Sequence, residues 1–461
     1  MLSGRYLQFA AIGCLLGVYA AKYWPVSLSC AVLLVGILVI IGLKLPRLAT
    51  LVFIGIGLVA GLARSVPVLD GYESLAKHEN SKVQIQATIT TDPVYHSSGQ
   101  YEFNANDLRL ADQAIDAEVR IRSHTNDVRR GDTILATGNL RDGFASWQAS
   151  IYYADVSVIS RDSSSLESFR SQFIANVYSA LPDPEASLGL GFLVGIRSLL
   201  PEQLDDDLRT TGLTHIVAVS GYNLTILANA SKRLLSRRSR FMAVSVTLAL
   251  LLGFTSVTGM SPSILRATIV SVLSIVGWYY GRNKSPWALL LYSSALSAML
   301  NPAYPWSSIG WYLSLAAFFG VLIIAPLIAG RLRDGRELGI VEQIFVETTS
   351  AQLLTLPVIM FVFGEVSVVA LLANILVLPF IPLCMMAVFL VGMTFFASLY
   401  ISGTLAAISY IILRYVTSII SLLANLGWAL VEVPISLFQM LMLFAFIGLA
   451  YLSLRHQKNS I

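Results

Sequence analysis

The chain has 461 residues, of which 56% are hydrophobic and 13% charged, with a formal net charge of +4. A soluble domain carries about 25% charged residues. One this poor in charge, with a mean hydropathy of +0.70, exposes large apolar patches in water, so a wholly soluble protein is excluded and a bilayer is implied. The small net charge argues for no partner, and Cys14, Cys30 and Cys384, all inside apolar runs, give neither a disulfide framework nor metal-ligand spacing.

The first apolar run, 6–21, follows a single Arg5 and has no small-residue cleavage site, so it reads as a span and not a signal peptide. Three spans are expected, at about 6–22, 26–43 and 48–63. Lys44 and Arg47 lie between the second and third. The positive-inside rule puts that loop and the N-terminus in the cytoplasm, and the segment after the third span outside.

From about residue 65 to 165 the apolar runs stop. Short alternating segments take their place at 82–89, 117–121, 132–138 and 153–159. Turn residues separate them at Ser97-Ser98-Gly99, 104–107, Arg130-Gly131-Asp132 and Arg141-Asp142-Gly143. Period-two alternation at this spacing predicts a small β-barrel of the OB-like kind. Such barrels often bind single-stranded nucleic acid. Between 82 and 159 acidic residues slightly outnumber basic ones, but Arg120, Arg122, Arg129 and Arg130 form a candidate local patch.

An amphipathic linker helix is expected around 166–181, with Leu166, Phe169, Phe173, Ile174 and Val177 on one face. Further spans follow at 213–231, 241–258, 263–280, 286–301, 309–330, 340–363, 404–427 and 436–454. The stretch 366–399, interrupted by Pro379 and Pro382, crosses once, twice or re-enters. The basic loops 232–240, 282–284 and 331–336 agree on one orientation. The expected architecture is a polytopic α-helical membrane protein of about 10–12 spans with an inserted all-β OB-like extracytoplasmic domain. Its parts are N-terminal transmembrane helices (1–65), barrel (66–165), amphipathic linker helices (166–211) and a second transmembrane domain (212–461).

Polar residues inside the spans carry the remaining information, because they are costly in lipid and face a cavity or a partner. On one helix at about 100° per residue, His215, Tyr222 and Asn223 fall within an arc of about 100°. This stripe reads as a pathway lining or as interhelical hydrogen bonding, with Ser220-Gly221 allowing close packing. In Thr258-Gly259-Met260-Ser261-Pro262-Ser263-Ile264-Leu265-Arg266-Ala267, Ser261 is a helix N-cap and Pro262 suits the first turn. Ser263 and Arg266 then share a face. Arg266 contacts phosphate, pairs with an acid or snorkels to the interface. Gln343, Glu347 and Ser350 share a face, with Gln352 opposite, and Asn374 is a lone amide before Pro379. Five histidines form no metal or nucleophile pattern, and no nucleotide-binding loop occurs. No cofactor, ATPase or nuclease chemistry is expected.

Four ordered stretches, 212–221, 258–267, 351–357 and 372–379, resemble the membrane core of the ComEC competence family, and the preceding segment resembles that family's OB-like domain. The resemblance implies a channel that carries one strand of transforming DNA across the cytoplasmic membrane. His215, Ser220, Tyr222, Asn223, Ser263, Arg266, Gln352 and Asn374 would line or shape the path, and the four barrel arginines would supply outer contacts. Its implied partners are single-stranded DNA, the lipid bilayer, a DNA receptor, a cytoplasmic motor or strand-binding proteins, and a separate nuclease. Many relatives end in a metallo-β-lactamase-like domain, whereas this chain stops at Ile461. The family commonly has His where Asn223 stands. The alternatives are a small-solute or lipid transporter and a membrane scaffold for uptake components.

Overall fold

The structure is a computed structural model that describes residues 2–23, 29, 32–33, 35–36, 49–96, 99–111, 113–125, 127–141, 149–162, 164–217, 223–224, 228, 231, 239–259, 261–281, 285–332, 338–394 and 399–459. In chain order these form α1 (Leu2–Tyr23), α2 (Ala49–Ala76) and seven strands. The strands are β1 (Lys82–Ile89), β2 (Val94–His96), β3 (Gln100–Leu110), β4 (Gln113–Ile115), β5 (Val119–Ser123), β6 (Thr133–Arg141) and β7 (Ala149–Ser160). Then come α3 (Ser165–Ala180), α4 (Glu185–Val194), α5 (Glu202–Thr210), α6 (Thr214–Val217), α7 (Arg240–Thr258), α8 (Pro262–Tyr279), α9 (Pro286–Leu300) and α10 (Ala303–Ser307). The last part holds α11 (Ile309–Leu332), α12 (Ile340–Val362), β8 (Glu365–Ser367), α13 (Ala370–Thr394), α14 (Leu399–Ala424), β9 (Leu430–Glu432) and α15 (Leu437–Asn459).

Among the described residues six helical runs are long and apolar enough to cross a membrane: α2, α7, α11, α12, α13 and most of α14. Shorter apolar helices are α4, most of α8, α9 and most of α15. Most of the expected spans 26–43 and 213–231 lies outside the described residues. The stretch around Pro379 and Pro382 is a single helical run, Ala370–Thr394, of the length of one crossing. Pro379 lies in the tight turn Leu378–Phe380 and Pro382 just after it, where a missing N–H costs less than in a regular helix interior.

The chain divides into two compact units. One comprises Met1–Glu167 with Gly259–Trp311. Its strands close into a ring: β1 pairs with β6, β6 with β7, β7 with β5, β5 with β3, and β3 again with β1. Every pairing in the ring is antiparallel except β5–β7. This is a five-stranded OB-like barrel, with β2 and β4 attached to β3 outside the ring. Alternate residues point inward, so Ile85, Phe103, Leu108, Ile121, Ile134 and Ile151 fill the core. The expected turn at 104–107 is instead the middle of β3. The polar residues Asn104, Asn106 and Asp107 face outward there, and the register against β1 shifts beside Asp107, whose φ is +50°. The turn-forming residue types therefore mark a bulge within a long strand.

In the same unit α1 and α2 meet backbone to backbone. Gly13 and Gly17 lie against the main chain of Ile54 and Leu58, and Gly57 and Gly61 against that of Ala10, Cys14 and Val18. Small residues four apart allow this approach where lipid supplies no hydrophobic drive. The Trp306 indole ties α10 to α1, donating to the Val18 carbonyl at 2.9 Å.

The second unit comprises Ser168–Thr258 and Tyr312–Ile461. Helix α4 is apolar nearly all round and packs against α13 and α14, as expected of a core helix. Leu188, Leu190 and Phe192 meet Cys384, Val388, Leu413 and Val416 in one cluster. The linker helix α3 buries only the later part of its apolar face. Phe173, which packs on Gly392, and Val177 are buried, while Leu166 and Phe169, one to two turns earlier on the same face, are exposed.

Candidate functional site

Helix α8 begins as its sequence dictates: the Ser261 hydroxyl accepts from the Ile264 N–H at 3.4 Å and Pro262 occupies the first turn. Ser263 is half-buried. One turn on, Arg266 is only 3% exposed. Its Nη1 donates to the Trp311 carbonyl at 2.6 Å, and the Trp311 indole donates to Ser297 Oγ at 2.9 Å. Nη2 is buried with no hydrogen-bond partner among the described residues, and no carboxylate there pairs with the guanidinium. The residue therefore does not snorkel. A buried, uncompensated charge costs several kcal/mol unless an anion or a wet cavity serves it.

The barrel arginines form two groups. Arg120 and Arg122 alternate outward along β5 and share Glu102 on β3, at 3.4 and 2.7 Å. Arg122 also lies over the Tyr152 ring, 5.2 Å from its centroid, with Arg141 on the same ring at 5.8 Å. Arg129 is exposed in the turn before β6. Arg130 is largely buried, with Nη2 3.9 Å from Glu167 Oε2. Arg120 and Arg122 thus share one carboxylate, and Arg130 meets another.

In the second unit, Asn223 is fully buried and its amide donates to the Phe192 carbonyl at 3.0 Å. Asn374 is buried, its amide donating to Ala370 O of its own helix at 2.7 Å. His215 is exposed at the end of a short helical turn, with Nδ1 3.1 Å from the Gly212 carbonyl. Gln352 is half-buried on α12. Gln343 donates to Glu347 at 2.8 Å on an exposed face, while Ser350 one turn on is buried and bonds Val346 O at 2.6 Å. Ser220 and Tyr222 lie outside the described residues. The amides of Asn223 and Asn374 thus hold backbone, and in the first unit Arg266 and Ser263 stand on one helix face.

One group escaped the sequence reading. Glu118, just before β5, accepts from the Asn104 amide at 3.0 Å and also bonds Asn301, while its N–H faces the Tyr72 hydroxyl at 3.5 Å. Burial raises the Glu118 carboxyl above the ordinary glutamate range, outweighing the two amides and Arg120. Tyr304 is pushed up to about 12 by burial and by the Glu118 charge. The signal was present: Glu118, Arg120 and Arg122 alternate onto one outward face. A carboxyl that holds its proton more tightly when folded lends most stability below its unfolded value and loses it as pH rises through the folded one. Melting of the purified chain in detergent is expected to fall as pH rises through that window, and Glu118→Gln to flatten the profile. An equal slope in both proteins would remove Glu118 as its source.

Among the described residues no group of three or more His, Cys, Asp or Glu side chains is placed to hold a metal ion. A family model described as Competence protein matches residues 192–458, which contain all four ordered stretches. ComE operon protein 3 of Bacillus subtilis (strain 168) is 27% identical over 225 residues, 48% of this chain. That match covers 28% of the relative's own length. No solved structure matches the chain.

Proposed function

We propose that this chain, which belongs to the competence protein family, conducts single-stranded DNA across the cytoplasmic membrane during natural transformation. The observation that carries the reading is the family match across 192–458, together with the polar residues that the ordered stretches place inside apolar helices. A strand bears one charge per phosphate and cannot enter hydrocarbon. It needs a wet path whose donors bind weakly enough to let it move. Arg266, Ser263, His215, Ser220, Tyr222, Asn223, Gln352 and Asn374 are assigned to lining or shaping that path.

The barrel is assigned to the extracytoplasmic side on the strength of Lys44, Arg47 and the basic loops. There Arg120, Arg122 and the Tyr152 ring offer a cationic and stacking surface of the kind that holds single strands without sequence preference. Arg129 and Arg130, in the turn before β6, are assigned to the same outer contacts. In this reading a DNA receptor delivers the substrate, a separate nuclease removes the other strand, and a cytoplasmic motor or strand-binding protein draws in the product.

Labelled-DNA uptake tests the proposal. Deleting the gene is expected to abolish cytoplasmic entry while leaving DNA bound at the cell surface. Complementation with Arg266→Ala is expected to restore at most about a tenth of wild-type entry, the scale of one lost charge-assisted contact, and His215→Ala a partial fraction. Normal entry in the deletion strain sinks the reading, and full activity of both variants turns it towards a scaffold.

A further inference from the structure

We propose that one face of α14, centred on Arg414, lines the water-filled path of the conduit, and that the Arg414 guanidinium meets the phosphates of the passing strand at mid-membrane. The inference rests on the conduit reading and deepens it by giving the path a wall in the second unit.

The first observation is depth. The run Gly403–Ala424 is long and apolar enough to cross a membrane, and Arg414 is the one charged residue in its sequence. It stands about 15 Å from either end of that run, too far in for the snorkelling that serves residues near helix ends. Yet its side chain is 57% exposed. A charge exposed at that depth faces water or a partner, because hydrocarbon does not solvate it.

The second observation is pattern. At about 100° per residue, Gly403, Ala407, Tyr410, Ser418 and Ser421 fall within about 40° of Arg414. All are small or polar, and all are exposed except the half-buried Ser421. The large aliphatic residues that α14 leaves exposed, Ile408, Ile411 and Leu422, lie about 60–120° round to one side. The open surface of the helix is therefore divided into a strip suited to lipid and a strip suited to water. From Gly403 to Ser421 the water strip runs about 27 Å, close to the hydrocarbon thickness of about 30 Å.

The third observation is charge. Glu185 at the start of α4 is buried against Arg414, with Oε1 3.2 Å from Nη1, and Thr417 Oγ1 donates to the same oxygen at 3.1 Å. From α5, Asp207 bonds the Ser421 side chain. More than half exposed and with one nitrogen on Glu185, the guanidinium keeps further N–H donors for an outside anion. The carboxylate behind it balances its charge, so it holds a phosphate without trapping it, as conduction requires. A lipid headgroup offers the same phosphate but sits about 15 Å from the bilayer centre. A second copy on a two-fold axis along the strip would set Arg414 against its own twin. Depth and charge both favour the strand.

Thiol reactivity tests the water strip, on the full chain in phosphatidylcholine nanodiscs. Ala407→Cys and Ser418→Cys are expected to react with a charged methanethiosulfonate reagent at least about tenfold faster than Ile411→Cys and Leu422→Cys, because the thiolate forms in water and not in lipid. The wild-type chain, with Cys14, Cys30 and Cys384, sets the background. Labelled-DNA entry in the complemented deletion strain tests the strand. Glu185→Gln is the reference there, since it leaves no buried carboxylate stranded when Arg414 is changed. Adding Arg414→Gln to it is expected to lower entry about tenfold with little change in melting, whereas adding Arg414→Lys should keep most of the entry.

Equal, slow reaction at all four positions overturns the water strip. Disulfide-linked dimers of Ala407→Cys or Ser418→Cys on oxidation give the strip to a second copy and overturn the proposal. A reactive strip with undiminished entry after Arg414→Gln sends the strand elsewhere and overturns the assignment, while the conduit reading stands. Normal entry in the deletion strain itself counts against that reading.

Discussion

Replacing Gly57 with alanine is expected to destabilise the chain, and replacing it with leucine to prevent its accumulation in the membrane. A Cβ at Gly57 meets the backbone of Ala10 and Cys14, and one at Gly61 meets that of Cys14 and Val18. Neither neighbour is the end of a flexible side chain, so the helices must separate. The α1–α2 contact then loses van der Waals packing, its main source of cohesion in lipid. Overpacking of this kind costs about 1–3 kcal/mol, and leucine belongs at the upper end or beyond. Gly253 on α7 is the control, because a Cβ there meets nothing within 4 Å. Gly253→Ala should be neutral or gain up to about 1 kcal/mol of helix propensity. Melting in detergent separates the two, and equal melting of Gly57→Ala and wild type would show that α1 and α2 do not meet along these glycines.

The second large effect lies in the other unit. The Glu185 side chain is 2% exposed and its Oε1 lies 3.2 Å from Arg414 Nη1 and 3.1 Å from Thr417 Oγ1. Arg414 is 57% exposed, so its own loss of hydration is small. Removing it strands a buried carboxylate, and Arg414→Ala is expected to cost about 3 kcal/mol. Glu185→Gln keeps an acceptor for Thr417 and should cost under about 1 kcal/mol. With the charge already removed, adding Arg414→Ala to Glu185→Gln should cost little. A double-mutant cycle reads this coupling directly, and equal costs of Arg414→Ala in both backgrounds would refute it.

Much of the architecture was legible because membrane spans and barrel strands both announce themselves by period. The strands β1 and β6 fall close to the expected segments, and the alternation of β5 and β7 points inward as read. The strand β3 was not legible, since Asn104, Asn106 and Asp107 are turn formers in composition and outward-facing strand residues in fact. Only the pairing with β1 and β5 reveals this. The α1–α2 contact was written in the sequence as Gly13-x-x-x-Gly17 and Gly57-x-x-x-Gly61, a spacing that went unused. For the candidate path, burial of Arg266 follows from its place one turn into an apolar helix. Its acceptor, the carbonyl of Trp311, is 45 residues away, and no local pattern names it. Glu118 had a local signal in the alternation with Arg120 and Arg122, but its partner Asn301 is remote in sequence and adjacent only in the fold.

The strand order has a mechanical consequence. β1 and β7 both pair antiparallel with β6, so they run the same way. Lys82 at the start of β1 sits opposite Asn139, whereas Ser160 at the end of β7 sits opposite Thr133. The chain therefore enters the barrel at one end of β6 and leaves at the other. A pull applied through those two connections loads the ladders along their length, and their hydrogen bonds must give way together instead of one at a time. Tension between the helix before the barrel and the helix after it is met in shear, the direction in which a small barrel resists best.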